Sequence, residues 1–125
     1  MRRVVIDAGP LLGWFDASSP HRSLRAEYEA GALAVIGPRG LIADALGDLA
    51  ARNDDPERLA RIATELGRIG LQLQDPPVSE LAAWIGRGLP PHRAAYPALA
   101  ASLEVPLVTD DPELRRIAAT VVQRD

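Results

Sequence analysis

Apolar residues recur along this chain with two different spacings. Between residues 3 and 6, and again between 105 and 109, they form short runs that end at turn signals, which is typical of buried strands. Elsewhere they recur every three or four residues, as on the inner face of a helix. The pattern predicts strands at 3–6, 71–73, 105–109 and 120–123, and helices at 11–15, 20–30, 41–52, 56–68, 79–86, 92–103 and 112–118.

Turn and capping residues support two of these helix starts. Ser19-Pro20 and Asp55-Pro56 each place a side-chain acceptor before a proline, whose missing N–H costs least in the first helical turn. By contrast, Gly37-Pro38 interrupts the segment 32–40, which is expected to be a loop.

The order of the predicted elements indicates the fold class. Strands that alternate with helices favour parallel βαβ units with right-handed crossovers. The 125 residues are expected to form one domain, 1–125, with a core of ordinary size. The apolar stretches are too short to span a bilayer and no signal-peptide pattern follows Met1, so a cytoplasmic protein without a membrane partner is expected.

Composition narrows the chemistry further. The chain has no cysteine, which excludes disulfides, zinc thiolates and thiol nucleophiles. All 14 basic residues are arginine, so a P-loop lysine and Schiff-base chemistry are excluded as well. The net charge of −3 argues against a broadly basic nucleic-acid surface, but it permits a local arginine track beside an acidic site.

Aspartates follow the two strongest predicted strands. Asp7 ends the run 4–6, and Asp110-Asp111 follows the run 107–109. If both runs are parallel strands of one sheet, their carboxylates emerge at the same edge, where open α/β sheets bind ligands. Carboxylate oxygens gathered there suit Mg²⁺ or Mn²⁺, which can activate a water for attack on a phosphodiester.

Each of these residues also has a purely structural interpretation. Asp7 is either a metal ligand or the N-cap of the following helix, and Asp111 stands before Pro112 as a helix cap would. Asp110 is either a site residue or a solvated turn residue. Thr109 either offers its hydroxyl to a phosphate or fills a strand position.

Two further aspartates lie on the predicted helix 41–52. Asp44 and Asp48 are four residues apart and share a face, which costs roughly 0.2–0.5 kcal/mol through repulsion of like charges. A solvated helix face is the better explanation for Asp48. For Asp44 a role in the site and a solvated position are equally well supported.

The histidines and tryptophans are expected to be structural. Neither His21 nor His92 stands in a metal-binding spacing, and both are expected at the surface. Trp14 and Trp84 lie in apolar helical patterns, so they are expected in the core.

Two motifs at the ends of the chain together resemble PIN domains. The opening motif is Val4-Val5-Ile6-Asp7-Ala8-Gly9-Pro10-Leu11-Leu12, and the closing motif is Val105-Pro106-Leu107-Val108-Thr109-Asp110-Asp111-Pro112. The alanine-rich segment 94–103 matches the helix that precedes the closing strand in that family. With 41–49, the similarity covers nearly the whole chain.

The resemblance implies a fold and an activity. The fold is a compact three-layer α/β/α sandwich around a parallel sheet of four to five short strands. The activity is that of a Mg²⁺- or Mn²⁺-dependent endoribonuclease, most often the VapC-type toxin of a toxin–antitoxin pair. Such toxins are commonly homodimers, and a small VapB-like antitoxin neutralises them.

The family's site residues carry over position by position, with one departure. Asp7 and Asp111 match acidic metal ligands, and Asp44 matches a position usually occupied by glutamate. Thr109 matches the threonine of the closing strand, and Asp110 is a further candidate ligand. The remaining acidic position falls on Arg93 in an alignment without gaps, or on Pro97 if the helix is shifted, and neither supplies a carboxylate. The fixed charge of Arg93 can pair with Asp7 and Asp111 without any metal.

Two hypotheses follow from this pattern. In the first, the chain is a metal-dependent endoribonuclease in which Asp7, Asp44 and Asp111 bind the ion and Thr109 orients phosphate. In the second, it is a catalytically degenerate PIN domain that acts as an RNA- or protein-binding module, because Arg93 replaces an acidic ligand.

Overall fold

The computed structural model describes residues 1–52 and 55–123. Over these residues the chain forms four strands, namely β1 (Arg2–Ile6), β2 (Leu33–Gly37), β3 (Gln72–Leu73) and β4 (Leu107–Val108). The helices are α1 (Ala8–Gly13), α2 (Arg22–Glu29), α3 (Leu41–Arg52), α4 (Pro56–Ile69), α5 (Val78–Gly86), α6 (Pro91–Leu103) and α7 (Pro112–Gln123).

The strands form one parallel sheet in the order β3-β2-β1-β4. Val5 lies beside Ile36 of β2 on one side and Leu107 of β4 on the other. Because the chain moves outward from β1 to β3 and then returns to the far side of β1, the topology switches between β1 and β4. Open α/β sheets bind ligands at such a switch point, outside the carboxyl ends of the strands.

Helices cover both faces of the sheet, which confirms the predicted three-layer α/β/α sandwich. The larger apolar cluster surrounds β1 and β2, and a smaller one joins α5, α6 and α7. Trp14 lies in the first cluster at 1% exposure and Trp84 in the second at 2%, as predicted for core residues. No helix in the described ranges is both long enough and apolar enough to cross a membrane.

Two predictions of secondary structure are wrong. The segment 32–40 is not a loop, because its apolar run forms β2, a central strand buried along its whole length. Gly37-Pro38 marks the turn that leaves this strand. Residues 120–123 belong to α7 and not to a fifth strand, since no glycine or proline interrupts the helix after Pro112.

Several helix boundaries also differ from the prediction. The first helix begins at Ala8, directly after Asp7, and not at residue 11. The second begins at Arg22, because Ser19 accepts a hydrogen bond from the His21 N–H in a separate turn. The helix α6 continues through Pro97 without ending there.

Candidate functional site

The carboxyl ends of β1 and β4 open into a cleft of about 560 Å³. Its floor is formed by the start of α1, and its walls by α3 and the first turn of α6. Charged and titratable residues dominate its lining, with acidic Asp7, Asp44, Asp48, Asp110 and Asp111 facing Arg52, His92 and Arg93.

Asp7 lies at the centre of this cleft and is almost fully buried, with 4% of its surface exposed. Its backbone N–H donates to the carbonyl of Val108, which fixes the end of β1 against β4. Its Oδ1 accepts from the Ala8 N–H at 2.8 Å, so Asp7 does cap α1. The Thr109 hydroxyl donates to Oδ2 at 2.7 Å. The Asp7 carboxylate therefore caps α1 and belongs to the site at the same time.

Arg93 lies between the two carboxylates that follow the strands. It sits in the first turn of α6, and its Nη1 and Nη2 donate to Oδ1 and Oδ2 of Asp7, each at 3.0 Å. Nη2 also donates to Oδ2 of Asp111 at 3.0 Å. The paired contact with Asp7 is the bidentate geometry in which a guanidinium binds a carboxylate most strongly.

Asp111 serves both the site and the following helix. Its Oδ1 accepts from the N–H groups of Glu113 and Leu114 at the start of α7, while Oδ2 accepts from Arg93. Its own N–H donates to the Thr109 hydroxyl oxygen at 3.1 Å. Thr109 thus links Asp111 to Asp7 and is buried at 5% exposure.

These contacts shift the pKa values of the charged groups. Burial lowers the pKa of Arg93, but the hydrogen bonds and charges of Asp7 and Asp111 outweigh it and raise that pKa above its usual value. For Asp111, burial raises the pKa, but the hydrogen bond from Arg93 and those from the α7 backbone outweigh it and lower the pKa overall. The pair is charged at neutral pH.

Asp44 lies on another wall of the cleft and is bonded to a tyrosine. The Tyr96 hydroxyl donates to Asp44 Oδ2 at 2.7 Å, and Tyr96 itself is fully buried. Burial, followed by the bond to Asp44, raises the pKa of Tyr96. Tyr96 was not predicted as a site residue, although it stands three residues after Arg93 and therefore on the same face of α6.

Asp110 points away from this centre toward the rim. His21 Nε2 lies 2.8 Å from its Oδ1, and Arg115 Nη2 donates to the same oxygen at 3.2 Å. The Arg115 guanidinium also donates to the carbonyl of Thr109. Neither partner of Asp110 was predicted. His21 is partly buried by this contact and is not a free surface residue.

The central carboxylates do not fit a metal ion in this arrangement. A carboxylate offers about four acceptor positions, and Asp7 uses them on Ala8, Thr109 and twice on Arg93. The guanidinium occupies the space between Asp7 and Asp111 where a shared cation would bind. Within the described ranges, no group of three or more His, Cys, Asp or Glu residues is arranged to hold a metal ion.

Comparisons with known proteins address the fold alone. No family model and no curated protein matches the chain. Among solved structures, the chain is similar to the crystal structure of PAE2754 from Pyrobaculum aerophilum, with a TM-score of 0.63 and 24% sequence identity. The match covers 98% of this chain and 94% of that one. The two chains therefore share the same α/β/α sandwich along nearly their full lengths.

Proposed function

We propose that this chain is a PIN domain of the VapC type that binds RNA without cleaving it. The observation that carries the proposal is the position of Arg93, whose guanidinium makes three hydrogen bonds of 3.0 Å to Asp7 and Asp111. The resemblance to PIN domains favours RNA as the ligand, and the open cleft at the topological switch point is the proposed binding site.

Hydrolysis of a phosphodiester needs a group that activates water. The lone pairs of Asp7 are already occupied by hydrogen bonds, and the lowered pKa of Asp111 makes it a weak base. The Asp44 carboxylate is bonded to Tyr96, whose raised pKa keeps the phenol protonated. These contacts occupy the acceptor positions of Asp7 and engage both oxygens of Asp111 and one oxygen of Asp44.

A phosphate backbone can contact this cleft through its two arginines, whereas the five aspartates of the lining repel it. Arg93 offsets one of the two negative charges at the centre, and Arg52 adds a second cation at the rim. Three of the five donors of Arg93 are used on carboxylates, so the guanidinium retains capacity to donate to a phosphate oxygen.

A second candidate function is the metal-dependent endoribonuclease. It is favoured by one observation, namely that Asp7, Asp44 and Asp111 line the same cleft. This activity requires Arg93 to leave both carboxylates before an ion can bind. Loss of these ion pairs would leave the buried Asp7 carboxylate without its cation, and the binding energy of the metal ion would have to offset that cost.

The test compares RNA binding and RNA cleavage in the same samples. A labelled single-stranded RNA is titrated with the protein in EDTA and in millimolar Mn²⁺, and the products are resolved on a denaturing gel. We expect the same affinity in both buffers and intact RNA. Cleavage that requires Mn²⁺ and disappears in Asp7→Ala would overturn the proposal in favour of the nuclease.

A charge reversal tests the role assigned to Arg93. Arg93→Asp replaces the cation with a third carboxylate beside Asp7 and Asp111, so Mn²⁺ binding measured by calorimetry should appear in this variant and not in the wild type. Arg3→Asp is the matched control, because Arg3 lies at the opposite end of β1 and is exposed. Tight Mn²⁺ binding by the wild type would contradict the proposal.

A further inference from the structure

A groove between α2 and α4 gathers four arginines outside the site already described. Arg22 and Arg25 come from α2, and Arg58 and Arg61 come from α4. The groove has a volume of about 340 Å³, and among the residues that the structure describes Glu65 is the one acidic residue in its lining. Such a concentration of cations stands out in a chain whose net charge is −3.

Three of these arginines have no ion-pair partner in the described part of the chain. Arg25 is the exception, since its guanidinium donates to Glu29 at 2.8 Å and to the carbonyl of Trp14 at 3.0 Å. Arg22, Arg58 and Arg61 make no such contact. Uncompensated cations that lie close together repel one another, so a bound anion would stabilise this surface.

Asp16 lies close enough to feel the charges of two of these arginines but forms no ion pair with either. Hydrogen bonds from the backbone and side chain of Ser18 lower the pKa of Asp16, and the charges of Arg58 and Arg22 add to this. Asp16 is exposed and bonded to Ser18, with no hydrogen bond to either arginine.

The groove is continuous with the acidic cleft. An intermediate depression of about 500 Å³ lies between them. Arg58 and Ile62 line both the groove and the depression, whereas Gly9, Arg52 and Asp110 line both the depression and the cleft. An extended ligand can therefore run along one surface from α4 to Arg93.

We propose that this arginine groove binds the phosphodiester backbone of single-stranded RNA and leads the strand into the cleft. The inference rests on the proposed function, because it assumes that RNA is the ligand. Guanidinium groups bind phosphate oxygens in a bidentate manner, and each phosphate neutralised releases counterions from the strand.

The groove contacts the backbone and not the bases. Trp14 is buried beneath the surface, and the Arg25 guanidinium covers the ring of Phe15 at 5.3 Å. Neither aromatic ring offers a free face on which a base can stack, so the affinity should depend weakly on RNA sequence and strongly on salt. None of the large apolar side chains most exposed in the described ranges lies here, which disfavours a protein partner.

The experiment measures the anisotropy of labelled single-stranded RNA over a range of salt concentrations. Arg22→Gln/Arg61→Gln removes two exposed cations from opposite walls of the groove, so we expect a loss of affinity of about tenfold. The slope of log affinity against log salt should fall by about 1.4, at roughly 0.7 for each phosphate on a single strand.

Arg3→Gln/Arg87→Gln is the matched control, with the same change of charge at two exposed arginines that line neither the groove, the depression nor the cleft. It should alter the affinity by less than about twofold. Arg22→Lys/Arg61→Lys keeps the charge and should retain the salt slope. Coincident circular dichroism spectra establish that all these variants are folded.

The outcomes separate this inference from the function on which it rests. If the wild type does not bind RNA, the proposed function fails and the inference fails with it. If the wild type binds RNA but Arg22→Gln/Arg61→Gln retains its affinity and salt slope, only the groove assignment is overturned. Tighter binding of polyglutamate than of RNA, lost in the same variant, would assign the groove to an acidic protein segment instead.

Discussion

Arg93 satisfies two carboxylates because its guanidinium is planar and carries donors on more than one edge. One edge faces both oxygens of Asp7, and Nη2 reaches Asp111 with its second hydrogen. The guanidinium also lies 5.7 Å from the ring of Tyr96, within range of a cation–π interaction. A lysine has one nitrogen and cannot reproduce this geometry.

Removal of this guanidinium should destabilise the protein. Arg93→Met leaves Asp7 buried, with only the Ala8 N–H and the Thr109 hydroxyl as partners. We expect the free energy of unfolding in urea to fall by about 2–3 kcal/mol, as for the loss of a charged partner from a largely buried pair.

Two further variants show whether the charge of Asp7 causes this effect. Asp7→Asn/Arg93→Met removes both charges and should be more stable than Arg93→Met alone, because no buried charge is left unpaired. Arg39→Met, at an exposed arginine, should change the stability by less than about 0.5 kcal/mol. Equal stability of wild type and Arg93→Met would contradict the pairing.

The pKa of Asp111 provides a second test of its contact with Arg93. Its pKa in the folded protein lies below the ordinary value of 3.8, so the pair contributes stability above that pH. This contribution is lost as the pH falls through the folded-state value. Carboxyl NMR should give a midpoint below 3.8 for Asp111 in the wild type and a higher one in Arg93→Met. An unchanged midpoint would show that the α7 backbone alone sets it.

At the scale of single residues, the sequence predicted which side chains lie close together better than it predicted their hydrogen bonds. Asp7, Thr109, Asp111 and Arg93 form one bonded group, as the convergence of the strand ends indicated. The contact between Tyr96 and Asp44 was not predicted, because it depends on the distance between two helices and not on spacing within either.

Among the secondary-structure elements, α4 has the best-defined ends. Asp55 accepts from the N–H groups of Glu57 and Arg58, Pro56 occupies the first helical position, and Gly70 ends the helix with a φ of 74°. The prediction from the sequence is confirmed here because capping is a local property, fixed by neighbours in the chain.

Asp55→Ala should lower the stability by about 1 kcal/mol, since two N–H groups lose their acceptor. Asp55→Ser provides another capping oxygen and should retain most of the stability. Urea unfolding monitored by circular dichroism measures both changes. If both variants lose the same amount, the cap bond is not the cause.

The two segments with the wrong predicted secondary structure have different causes. The segment that forms β2 is a strand because β1 and β3 pair with it on either side. Three of the four residues 120–123 are β-branched, yet the segment continues α7. Pairing with distant strands decides the first case, whereas continuation of the helix overrides the local β preference in the second.

Across the whole molecule, two apolar clusters share the partly buried Leu107 of β4. Each cluster contains one of the two tryptophans of the chain, so each has its own fluorescent reporter. Because the sheet is common to both clusters, we expect them to unfold together in one cooperative transition.

Single-tryptophan variants test this cooperativity. Trp84→Phe leaves Trp14 as the reporter of the larger cluster, and Trp14→Phe leaves Trp84 as the reporter of the smaller one. Within each variant, the urea midpoint from fluorescence should coincide with the midpoint from circular dichroism. Separate midpoints in either variant would show that α5, α6 and α7 unfold independently of the sheet.

The contact between Thr109 and Asp7 spans 102 positions of sequence, and that between Arg93 and Asp7 spans 86. A ribosome adds about 5–20 residues per second, so Asp7 is made several seconds or more before either partner exists. Throughout that interval β1 has no neighbour on its β4 side, and the local partner of the Asp7 carboxylate is the Ala8 N–H. Arg93 of α6 therefore supplies the cation that pairs with Asp7, and β4, the last strand to be synthesised, then completes the sheet.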